Sequence, residues 1–180
     1  MAGSTANVEI GEVDAYVDKA DGNGERHLGH TKGGSVFMVE REFAELLVDQ
    51  YGSMPVDKIL TGNKLKIKLF LAEPTKENQG AAIQEGTYVE NEGDSKLGIG
   101  TDSGVALSDT AVLLRLHPRK LPDSNRNKDI YIWMAVSVEN VELPYTVEDQ
   151  RVLEITYEAL VDETQPDGQR LGRVGDADIS

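Results

Sequence analysis

The 180-residue chain contains no cysteine. That absence removes disulfide frameworks, thiolate metal sites and cysteine nucleophiles in one step. No apolar run approaches the ~20 residues of a membrane-crossing helix, and no Asn-x-Ser/Thr acceptor occurs. The opening Met-Ala-Gly-Ser-Thr-Ala-Asn7 lacks the basic and apolar blocks of a secretory signal. A soluble protein made in a cytoplasm, without membrane contact, is the expectation. Basic residues are also scarce. Eighteen Lys and Arg stand against thirty-two Asp and Glu, a formal charge of −14. Affinity for nucleic acid comes largely from cations displacing phosphate counterions, so a chain this acidic is unsuited to gripping DNA or RNA.

What is present is strand alternation. Ile130, Ile132, Met134, Val136 and Val138 share one parity, with Tyr131, Trp133, Ala135 and Ser137 on the other. Leu153, Ile155, Tyr157, Ala159 and Val161 repeat the pattern, opposed by Glu154, Thr156 and Glu158. A period of two means a pleated sheet with at least one buried side. Leu65, Ile67, Leu69 and Leu71 alternate with Lys64, Lys66 and Lys68, and a hairpin from residues 56–60 through Thr61-Gly62-Asn63 is expected. Lysines on such a face discourage edge-to-edge aggregation or meet acids on a neighbouring copy. Val8 and Ile10 change parity to Val13, Ala15 and Val17, which places a bulge at Gly11. Residues 38–51 fit both strand and helix spacing; strand neighbours favour strand. Ala111 to Leu116 reads as a strand ended by His117-Pro118. Thr75 caps the one convincing helix, over residues 76–84, which Gly80 weakens. Residues 21–34 and 86–108 read as long glycine-rich loops, and residues 162–180 as a flexible tail. Mainly β architecture follows: an antiparallel β-sandwich or small barrel over residues 1–161, with one short helix and long inter-strand loops.

Chemical motifs are weak throughout. Asp102-Ser103-Gly104 matches the short aspartic-protease signature but lacks a second such Asp and the supporting glycine segment. Asp21-Gly22-Asn23-Gly24-Glu25 opens like a calcium loop, yet Arg26 and Lys32 occupy the places that need Gly and Glu. His27, His30 and His117 do not form a ligand set by spacing. Tyr131 and Trp133 suit packing better than base stacking, since no cations interleave them. No catalytic residue, metal or cofactor is expected.

The segments Gly33-Gly34-Ser-Val-Phe-Met-Val-Glu-Arg-Glu-Phe-Ala44, Val48-Asp-Gln-Tyr-Gly52, Pro55-Val-Asp57, Leu65 to Glu73 with the helix after Pro74, Val141 to Tyr157, and Gly175-Asp176 stand in a telling order. Together they resemble the major tail tube proteins of long-tailed, non-contractile bacteriophages. That resemblance implies a β-sandwich subunit forming hexameric rings that stack helically into a tube in the virion. Its partners would be further copies of itself, the tape-measure protein, other tail proteins, and viral DNA passing through the bore without specific binding. An acidic lumen suits that passage. Glu40, Glu42, Glu45, Glu154 and Glu158 are the expected lumen-facing acids, with Lys64, Lys66 and Lys68 pointing away. Lys64, Lys66, Lys68, Tyr131, Trp133, Asp21, Arg26, Glu92 and Asp94 are the expected inter-subunit or inter-ring contacts, the two long loops ordering on assembly. Two other readings stand beside it: a tail terminator or capsid-decorating protein of fixed size, and a small-ligand carrier with a closed barrel cavity.

Overall fold

The computed structural model describes residues 11–101, 103–145 and 149–176. Val8 and Ile10, Asp102, residues 146–148 of the β8–β9 connector and residues 177–180 lie outside them. Among the described residues ten strands and one α-helix follow in order: β1 (Val13–Asp18), β2 (Arg26–His27), β3 (Thr31–Leu47), β4 (Pro55–Leu71), α1 (Lys76–Ala82), β5 (Thr87–Asn91), β6 (Asp94–Gly98), β7 (Val112–Pro118), β8 (Ile130–Ser137), β9 (Leu153–Ala159) and β10 (Gly172–Val174). The fold is mainly β, all its strand pairs antiparallel.

The sheet runs β2-β1-β7-β8-β9-β4-β3, with β10 on β8. Alternation in β4 and β9 does what period two requires. Leu65, Ile67, Leu69 and Leu71 are buried on one side, and Leu153, Ile155, Tyr157 and Ala159 join them. Each fully buried aliphatic side chain contributes roughly 1.5–3 kcal/mol of apolar transfer. The same cluster includes Ala15, Val17, Leu114, Leu116 and Ile132 from the other half of the sheet. The sheet therefore curls over its own face. Leu28 plugs the gap between β2 and β3, its amide donating to the Ala15 carbonyl at 2.8 Å.

Thr75 caps α1 by accepting from the Asn78 amide at 3.1 Å. α1 lies against the β5–β6 hairpin, where a Cβ on Gly80 would make ordinary contact with Tyr88 and Leu97. The Tyr157 hydroxyl donates to the Ala81 carbonyl at 2.9 Å and ties the helix to the core.

Five expectations need correction. Residues 61–63 make no turn: β4 runs unbroken from Pro55 to Leu71, and its hairpin partner is β3. Residues 86–108 are not a long loop but hold β5, β6 and a 3₁₀ turn, Leu107–Thr110. Residues 162–176 are not a free tail, since Gly172, Arg173 and Val174 pair with Ile132, Tyr131 and Ile130. His117 and Pro118 complete β7 instead of ending it. In β8 a register shift between its pairings to Leu114 and Val112 breaks the parity, so Ile132 and Ala135 face the same core. Met134 and Val138 thus leave the face assigned to them.

Candidate functional site: the projecting hairpin arm

Seventeen residues of β3 lie antiparallel to seventeen of β4. Only the root of this hairpin is covered. β9 pairs with β4 over Lys66 to Leu71 and no further, so the β4 edge from Pro55 to Leu65 is unpaired among the described residues. β3 is the last strand of the sheet, so its outer edge too is unpaired among the described residues. From Glu40 to the end of β3 at Leu47 the ribbon extends roughly 23 Å at strand rise, and a 3₁₀ turn over Asp49–Tyr51 follows. Among the described residues, twelve of the twenty exposed large apolar side chains fall between Val36 and Leu60. Phe43 is 53% exposed, Tyr51 64% and Met54 70%.

The register explains the placement. Ser35, Phe37 and Val39 oppose Leu69, Ile67 and Leu65, the buried side of β4. Phe43 opposite Leu60 continues that side outward, past the end of the core. Thr61 faces no partner, since Glu42 pairs with Gly62 and Phe43 with Leu60. This bulge moves the outer side of β4 from even to odd positions, so Ile59 and Asp57 stand with Ala44 and Leu46. Both sides of the arm thus carry apolar groups.

On the outer side of the root lies a ladder of ion pairs. Lys64 meets Glu42 at 2.8 Å, Lys66 meets Glu40 at 3.1 Å and Glu158 at 3.5 Å, and Lys68 meets Glu154. Farther out, Lys58 meets Glu45 at 2.8 Å. The carboxylate beside each ammonium holds Lys64, Lys66 and Lys68 above the usual lysine range. This corrects the expected separation of charges. Glu40, Glu42, Glu154 and Glu158 share a face with Lys64, Lys66 and Lys68, as cross-strand neighbours must. Glu45 lies beyond the bulge with Lys58.

Other expected contact residues are engaged inside the subunit. Tyr131 is buried and stacked on Trp133 at 5.8 Å. Arg173 of β10 lies over both rings, and the Trp133 indole donates to the Gln169 carbonyl at 2.7 Å. Arg26 pairs with Glu77 at 3.0 Å and donates to Asn78 at 2.8 Å. Glu25 holds Arg115 at 2.6 Å. Glu25 and Arg26 therefore fasten the end of this segment to the body. Asp21, Glu92 and Asp94 remain exposed, Glu92 in the β5–β6 turn with φ 50°.

The arm was the feature hidden from sequence reading. Residues 38–51 fit two periodicities, and neither shows that Phe43, Leu47 and Tyr51 stand exposed beyond the core. The one signal was Gly62, since glycine inside a strand pattern often marks a bulge. Among the described residues no group of three His, Asp or Glu side chains is placed to hold a metal. No helix among them is long and apolar enough to cross a membrane. Compared with known proteins, the chain matches no family model and no curated protein.

Proposed function

We propose that the chain is a self-assembling subunit of a hollow tube, a bacteriophage tail tube. Copies associate head-to-tail as rings that stack around a channel for DNA and the tape-measure protein. The observation that supports this reading is the arm, a two-stranded ribbon with both edges unpaired and apolar groups on both sides. A long exposed edge is a template for another strand. The β3 edge and the outer β4 edge are different surfaces, so pairing one with the other is heterologous and closes rings or builds filaments.

The charge pattern supports a conduit role. Each lysine on the outer side of the root is matched by a carboxylate. If that side lines the bore, its lysines are already neutralised and phosphates find no free cation to hold them.

The test removes residues 43–61 and joins Glu42 to Gly62 through Asn-Gly. The expected result is a cooperative thermal transition and a monomer that builds no tubes in negative-stain microscopy, while the intact chain builds open-ended tubes. Tubes formed without the arm would overturn the proposal. So would an intact chain that stays monomeric at high concentration with tail initiators present. Closed rings of fixed size would favour a terminator.

A further inference from the structure

Away from the arm, the most charged interior ground lies where β7 meets the start of β8. Asp129 has no exposed surface and His117 is 1% exposed. Asp129 receives the Nδ1 side of His117 at 2.6 Å, the Arg115 guanidinium at 3.2 Å and the Tyr131 hydroxyl at 3.4 Å. Arg115 also grips Glu25, in the loop before β2, and lies 4.1 Å from the Tyr16 ring of β1. Asp14 of β1 is the register partner of His117 and is itself paired with Arg119 and His27.

Two features converge on the imidazole. Its Nε2 faces the Leu121 carbonyl at 3.1 Å, with the Asp123 carboxylate at 3.8 Å. Both ring nitrogens therefore face acceptors, and only a doubly protonated ring donates to both. Arg115 stands between the carboxylates of Asp129 and Glu25, and Arg126 of the 119–128 loop faces Tyr131 beside them.

The cluster also holds the C-terminal strand. The Gly175 amide donates to the Asp129 carbonyl at 2.8 Å, next to the pairing of β10 with Ile130, Tyr131 and Ile132. Gln169, ahead of β10, accepts from Trp133.

We infer that His117 is a proton-operated latch, which as an imidazolium fastens the 119–128 loop and the 162–175 strap to the body. Loss of a proton occurs at Nε2, which faces a neutral carbonyl, because Nδ1 is held by a carboxylate. The Leu121 bond is then lost and the loop and strap loosen. The device sits on β7 and at the start of β8, in the middle of the strand order.

The intact chain tests it. Long-range proton–nitrogen spectra of its three histidines, read from about pH 5 to about pH 9, bracket the ordinary imidazole titration. At the acid end both nitrogens of His117 should be protonated. Towards the basic end Nε2 alone should lose its proton. Amide exchange of residues 119–128 and 172–175 should then quicken ~10-fold beyond the intrinsic rise, while β4 and β9 stay protected. Trp133, the sole tryptophan, should shift its emission to the red as the strap leaves. His117→Gln should show loosened emission at every pH. A ring neutral throughout would overturn the inference, as would titration of His117 with no change in exchange or emission. The wild-type titration decides the matter if the variant does not fold.

Discussion

The carboxylate of Glu73 fills the space that a Cβ on Gly29 would need, with the ideal position only 2.8 Å from the Glu73 Cδ. Glu73 is held there by the His30 amide, which donates to it at 2.8 Å, while Gly29 sits at φ +87°.

Gly29→Ala should therefore carry two penalties: left-handed backbone strain, and loss of the His30 bond as Glu73 swings aside. Together these amount to about 2 kcal/mol. Gly24→Ala, at φ +78° with open space around it, should cost only about 1 kcal/mol. Urea denaturation of both variants checks the difference, and equal losses would mean that Glu73 adapts freely.

Tyr157→Phe should lower stability by about 1–2 kcal/mol, because the buried Ala81 carbonyl loses its hydroxyl donor. Amide hydrogen exchange should show residues 76–82 exchanging faster with β9 unaffected. Uniform loosening of the whole sheet would point to a packing defect instead.

Asp14 shapes the acid side of the stability curve. Burial pushes its carboxyl up, but the bonds from Arg119 and His27 outweigh that and hold it below the usual range. A carboxyl lowered by folding stabilises above its unfolded value and loses that contribution as pH falls through the folded one. Thermal unfolding from about pH 6 down to about pH 2, below the ordinary Asp range, should show a steeper acid decline for wild type than for Arg119→Met. Parallel curves would remove Asp14 from the account.

Phe43→Asp and Leu60→Asp replace exposed groups on the arm. Their effect on monomer stability should stay within about 0.5 kcal/mol, while sedimentation should show assembly abolished. Ile155→Asp is the contrast. At 1% exposure it buries an unpaired charge, and folding should fail outright.

Much of the body was legible in the sequence because it obeys local rules. Leu65 to Leu71 and Leu153 to Ala159 alternate without interruption, and Thr75 with Pro74 announces a helix start. Errors arose where a rule had two readings. Gly62-Asn63 looks like a two-residue turn, but in β4 it adjoins a bulge opposite Glu42. In β8 the register shift places neighbours on faces that strict alternation forbids. Gly172–Val174 is too short to show a period, and its pairing is set by β8 forty residues earlier. The charge ladder was half visible. Lysines and acids each alternated, but only the register shows that Lys66 stands between Glu40 and Glu158. The His117 cluster left no local trace, since Glu25, Arg115 and Asp129 meet only through tertiary folding.

Thr61 has a consequence for how such a chain changes over generations. Thr61 faces no residue across the ribbon, and Val56 is in the same position, since Leu46 pairs with Asp57 and Leu47 with Pro55. Loss of a single codon at either place leaves every other cross-strand partner matched. What changes is local bend and twist, which an unpaired residue increases. The curvature of the arm is therefore heritable separately from its surface chemistry. One in-frame deletion changes how the ribbon bends, with no paired residue rewritten.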